Sequence, residues 1–164
     1  MRTAFLLITA VYAVLVVIAA SRLPDRVPLH FGLRGTADQW GSRSEALVAF
    51  TLVGGGVAVL MGGLTTIMSR VPLRSTWVNL PHQDWWTATP EREARARERL
   101  VSDGYLIGAA TMAVLCLALV LTLVAALGDE GGLPGGGWLI GGAVLALAAL
   151  AIRLAFHYRP EDDS

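Results

Sequence analysis

The side chains best placed for chemistry are His30 with Asp25 and Asp38, and His82 with Asp84. A histidine beside a carboxylate can ligate a metal, move a proton or form a fixed hydrogen bond. Structural zinc takes four Cys or His ligands and catalytic zinc three protein ligands. Neither group supplies such a set, and no His-x-x-x-His spacing occurs, so no metal is expected. The single Cys116 excludes an intrachain disulfide or a thiolate cluster. Gly54-Gly55-Gly56 and Gly135-Gly136-Gly137 lack the Gly-Lys-Ser/Thr ending of a phosphate loop. No nucleophile stands beside a base, so the chain reads as a non-enzyme without a cofactor. His30 is expected to hydrogen-bond within its own loop, to Asp38 or to a backbone carbonyl.

These residues lie between long apolar stretches that must hold them in place. Of 164 residues, 54% are hydrophobic and 16% charged, where a soluble domain carries about a quarter charged residues. Charged residues leave four gaps, near 4–20, 46–68, 104–128 and 137–156. A hydrocarbon core of about 30 Å takes roughly 20 residues of helix, and backbone polar groups in lipid must pair internally. The fold class expected is therefore all-α, one integral membrane four-helix domain over 1–164, with the lipid bilayer as its first partner. The first stretch could also be read as a secretion signal ending at Ala19-Ala20-Ser21, but Ala4 to Ala20 exceeds the roughly 7–15 residues of a signal core. It is read as a retained helix.

Thirteen Arg and no Lys balance thirteen acids, so nothing suggests a nucleic-acid partner. With the N-terminus inside, nine Arg fall on cytoplasmic segments and four (Arg22, Arg26, Arg34, Arg43) on outer loops. The positive-inside rule then puts both termini in the cytoplasm of a bacterial cell membrane. Arg153, about a turn before the last stretch ends, reads as a snorkelling anchor. No other Asp, Glu, Lys, Arg or His falls in the four stretches, which argues against an intramembrane protease or proton-coupled transporter. Trp40, Trp77, Trp85 and Trp86 lie outside the apolar cores and Trp138 marks the outer end of the fourth, as an interfacial belt requires.

Gly54, Ala58, Gly62 and Thr66 recur every four residues along the second stretch, which is thereby expected at the centre of the bundle. Such small side chains let another helix approach closely, within the chain or in a homo-oligomer.

Two loops carry the remaining information. The outer loop, 21–45, opens Leu23-Pro-Asp-Arg-Val-Pro-Leu-His-Phe-Gly. Pro24 and Pro28 disfavour helix, and the alternation of Val27, Leu29 and Phe31 suits an extended segment before a turn at Gly32 and Gly35. An ordered cap is expected there. The inner loop, 69–103, holds Asn79-Leu-Pro-His-Gln-Asp-Trp-Trp and then a helix start: Thr89 as N-cap, Pro90 in the first position, and acids at 91 and 93. Glu91 with Arg95 and Glu93 with Arg97 are i,i+4 pairs. This helix is expected to run towards the third span, with Gly104 as the joint if it bends. Its balanced charges describe a solvated face.

Leu23-Pro-Asp-Arg-Val-Pro-Leu-His-Phe, then Gly35, Asp38, Trp40 and Gly41, then Asn79-Leu-Pro with Trp86, resemble the N-terminal membrane module of SdpI-like bacterial proteins. The named member of that family is an immunity factor against a secreted killing peptide and holds a transcriptional repressor at the membrane. It continues with further helices, so the resemblance is to stand-alone four-helix relatives. It implies a non-catalytic membrane protein acting in peptide immunity or signalling through its loops. Asp25, His30, Phe31, Asp38 and Trp40 would meet an extracytoplasmic peptide or protein. Asn79, Pro81, His82, Asp84 and Trp86 would meet a cytoplasmic partner. An accessory or assembly subunit of a transport complex is the alternative, motivated by Gly54, Ala58 and Gly62.

Overall fold

In the computed structural model, residues 1–32, 35–128, 132, 135–156 and 158–159 are described. Arg34, counted above among the outer arginines, lies outside them. The chain runs α1 (Arg2–Arg22), β1 (Arg26–Phe31), β2 (Ala37–Ser42), α2 (Arg43–Met68), α3 (Gln83–Trp86), α4 (Pro90–Leu127) and α5 (Gly136–Phe156). The helices α1, α2, α4 and α5 are each long and apolar enough to cross a membrane.

Local chemistry explains the boundaries. Pro24 follows Leu23, which ends α1 in an extended conformation. Ser42 closes β2 and caps α2: its hydroxyl accepts from the Glu45 amide while the Glu45 carboxylate accepts from the Ser42 amide at 2.7 Å. Thr89 caps α4 by accepting from the Arg92 amide at 3.3 Å, with Pro90 in the first turn. Glu93 pairs with Arg97 at 3.4 Å. No ion pair joins Glu91 to Arg95 among the described residues.

The outer segment adds a two-stranded antiparallel sheet to the all-helical plan. Arg26 faces Ser42, Pro28 faces Trp40 and Phe31 faces Ala37, with irregularities on both sides of His30. These bulges break the alternation read from the sequence: Val27 and Pro28 are both buried, and Leu29 is exposed. Gly35 makes the turn at φ 80.

The centre of the bundle is α4, not α2. It packs against α1, α2, α5 and β1, whereas α5 rests chiefly on α4. Small residues at the seam explain this: a Cβ on Gly104 would meet the Thr65 side chain at 2.7 Å, and one on Gly108 the Phe5 ring at 3.1 Å. Gly104 is accordingly a contact point in one unbroken 38-residue helix and not a joint. At about 1.5 Å per residue α4 measures roughly 57 Å. That exceeds a hydrocarbon core of about 30 Å, so its N-terminal third stands clear as a stalk.

Two cores result. Phe5, Tyr12, Ala19, Leu23, Val27, Ala46, Met112 and Leu119 form the bundle core, which ties the hairpin to the helices through Leu23 and Val27. Leu73, Val78, Leu80, Trp86, Ala96 and Tyr158 form a separate cluster on the stalk at the opposite end.

Candidate functional site

At the hairpin end, the five residues singled out in the sequence divide into three roles. Asp25 closes the base: its carbonyl accepts from the Arg43 amide at 3.2 Å and its carboxylate pairs with the Arg43 guanidinium at 3.1 Å. Trp40 lies on β2 opposite Pro28, with the Arg26 guanidinium 5.1 Å from its ring centroid. His30 and Asp38 meet across the strands, Nδ1 to Oδ1, at 2.6 Å. An ionised carboxylate can only accept, so Nδ1 donates and Nε2 is the ring's remaining hydrogen-bonding atom. The pair sits in solvent, with side chains 65% and 53% exposed.

Phe31 and His30 also border a cleft of about 370 Å³ between the hairpin and the ends of α2, α4 and α5. Leu29, Phe50, Leu121 and Ile140 line it. The hydroxyl of Thr122, also on its wall, is satisfied by the Ala118 carbonyl at 3.0 Å. The walls are thus apolar and the rim carries a histidine-carboxylate pair. Such a surface can take an apolar side chain and direct hydrogen bonds to its neighbour; it holds no nucleophile and base.

At the opposite end, Asn79 and Pro81 are exposed and border a cleft of about 500 Å³ with Leu100, Asp103, Leu154 and Tyr158. His82 and Asp84 are exposed outside that cleft, and His82 adopts a left-handed φ of 57 as the residue before α3. Trp86 does not offer a surface. It is 1% exposed, packs edge-on against Trp85 at 4.8 Å and Tyr158 at 6.2 Å, and lies under Arg99. Reading it as a partner contact overlooked that an indole with a nearby N–H acceptor is a natural core for a small cap. Trp77 and Trp138, by contrast, are exposed. The helix-packing positions are covered from within the chain: a Cβ on Gly54 would come 2.0 Å from the Tyr12 ring, Gly62 abuts Phe5, and Ala58 packs on the bundle core.

Several contributors escaped the sequence reading. Gly104 and Gly108 form a small-x-x-x-small pattern that marks the α4 seam and could have been recognised. Tyr158, whose hydroxyl donates to Asp103 at 2.9 Å, gave no local signal.

Residues 7–55 match a protein-family model described as a domain of unknown function, DUF1648. No curated protein and no solved structure matches the chain. The DUF1648 segment runs from α1 through the hairpin into α2, so it contains all five outer residues and Gly54. Asn79, Pro81, His82, Asp84 and Trp86 lie beyond it.

Proposed function

We propose that this is a non-catalytic multi-pass protein of the bacterial cell membrane, of the SdpI-like family, which recognises an extracytoplasmic peptide at its hairpin end. The apolar cleft beside the exposed His30–Asp38 pair is the observation that carries this reading. Cleft and pair together suit a peptide that offers a large apolar side chain next to a polar or charged group. The excess of arginine at the α3 end supports placing that end and both termini in the cytoplasm. The DUF1648 match supports the family reading, because that domain occurs in SdpI-like membrane proteins. The cap around Trp86, with Asn79, Pro81, His82 and Asp84 exposed, is the surface for a cytoplasmic partner.

Expression in a sensitive bacterium followed by challenge with secreted killing peptides tests the immunity form of this reading. Survival should rise for at least one peptide and fall back when Asp38→Asn and Phe31→Ala are combined. Unchanged survival across the panel, with the protein verified in the membrane, would overturn it.

A second reading, an accessory or assembly subunit of a transport complex, is favoured by one observation. A Cβ added at Gly55, Gly56 or Gly63 on α2 would meet nothing within 4 Å, which leaves a smooth face for another helix. Crosslinking in the native membrane that returned only monomer would exclude it.

A further inference from the structure

We infer that the polar groove between the first turn of α1, the last turn of α2 and the α4 stalk binds a phosphate group. The groove has a volume of about 590 Å³ and is lined by Arg2, Arg70, Thr65, Ser102 and Glu98, among others. Most arginines of this end are engaged. Arg97 donates to the Ser69 and Val71 carbonyls, Arg74 to the Thr87 carbonyl, and Arg92 and Arg99 lie over Trp85 and Trp86. Arg2 and Arg70 make no hydrogen bond or ion pair through their side chains among the described residues, yet they border one groove.

Thr65 supplies the second, independent sign. In a helix a threonine hydroxyl usually donates to the carbonyl four residues back. Thr9, Thr66, Thr111 and Thr122 do so here, at 2.7–3.0 Å, whereas Thr51 and Thr65 on α2 do not among the described residues, and of these two only Thr65 lies in a buried position. Thr65 is 7% exposed and its hydroxyl has no such partner among the described residues. The Ser102 hydroxyl is likewise without one. Neither oxygen is sealed from solvent, Arg43 Nε being the one buried side-chain polar atom without a partner among the described residues, so both hydroxyls can donate to a ligand in the groove. Two guanidinium groups and two hydroxyl donors around one groove are complementary to a tetrahedral oxyanion. Glu98 is the one acid on the lining and leaves a positive balance against Arg2 and Arg70.

The position fits a headgroup as well as a free anion. The 21 residues of α1 measure about 31 Å, close to the hydrocarbon thickness, which puts Arg2 at the headgroup level. Tyr105, also on the groove, is a residue of the water boundary.

The full-length protein, purified in mild detergent and delipidated, provides the test. Native mass spectrometry with phosphatidylglycerol should show one retained lipid, and the R2Q/R70Q variant should retain it at least about ten-fold less. Titration of the same samples with inorganic phosphate separates the sources: binding of phosphate without lipid retention assigns a soluble anion, and the reverse assigns a headgroup. Thr65→Val, which removes one donor at nearly constant size, should weaken whichever ligand binds by roughly ten-fold, and Arg95→Gln should leave it unchanged. Thr65→Val decides the matter should R2Q/R70Q lose helicity by circular dichroism. Failure of the wild type to bind either ligand, or equal binding by wild type and Thr65→Val, would overturn the inference.

Discussion

The indole N–H of Trp86 donates to the backbone carbonyl of Tyr158 at 3.0 Å, across 72 residues of chain. This bond joins the segment after α2 to the residues after α5 on one side of the α4 stalk. The Tyr158 hydroxyl reaches Asp103 on that stalk at 2.9 Å, so three separate parts of the chain meet. Trp86→Ala should therefore cost about 3–5 kcal/mol by cavity formation and loss of the bond. Thermal unfolding in micelles measures the loss, and limited proteolysis should cut within 70–89 in the variant but not in the wild type. Tyr158→Phe, which removes the hydroxyl alone, should cost about 1 kcal/mol.

The same tyrosine makes the cap sensitive to alkali. Burial raises the Tyr158 phenol above its ordinary value, and the hydrogen bond and negative charge of Asp103 raise it further. A folded-state value above the unfolded one favours the neutral form. Its contribution is fully present below pH of about 10 and is lost as pH climbs towards the folded value. Melting temperatures recorded from pH 8 to 12 should fall more steeply for the wild type than for Tyr158→Phe, and the gap between them should close. Parallel curves would show that the phenol does not titrate with the cap.

Gly54 and Gly55 are neighbours on α2 with opposite surroundings. A methyl at Gly54 would enter the Tyr12 ring, whose hydroxyl is held by the Phe50 carbonyl at 2.8 Å, whereas a methyl at Gly55 meets nothing within 4 Å. Gly54→Ala should destabilise the bundle by about 1–3 kcal/mol through overpacking. Gly55→Ala should be neutral or stabilising by about 0.5–1 kcal/mol through lower backbone entropy in the unfolded chain. Unfolding in micelles of the two variants side by side reads the difference, and equal effects would place the tight contact elsewhere.

The four long helices were legible because gaps between charges report directly on the solvent, and the helix start at Thr89 carries its own capping chemistry; the Ser42 cap of α2 was not read. The turn glycines and prolines of 24–35 pointed to extended chain, and His30 to Asp38 was an available pairing. Strand register was not legible, since bulges on both sides of His30 override a period of two. The central place of α4 was missed for a different reason. The glycine-rich pattern on α2 is more conspicuous, but its glycines accommodate the rings of Tyr12 and Phe5, while Gly104 and Gly108 bring α4 against α2 and α1. Contacts such as Trp86 to Tyr158 depend on where two distant segments end, which no local pattern encodes. The polar and aromatic residues of the hairpin end could be named from the sequence, but the cleft beside them required Leu121 and Ile140 from α4 and α5.

The proposed topology, four crossings with the hairpin outside and the Trp86 cap inside, is tested most directly by thiol labelling in intact cells. Cys116 packs partly buried against the bundle core and is replaced by Ala to clear the background. Single cysteines then replace exposed Gln39 on β2 and exposed Asp84 on α3. A membrane-impermeant maleimide should label Gln39→Cys in intact cells and Asp84→Cys only after permeabilisation. Labelling of Asp84→Cys in intact cells with Gln39→Cys protected would contradict the orientation and remove the hairpin from the face where a secreted peptide arrives.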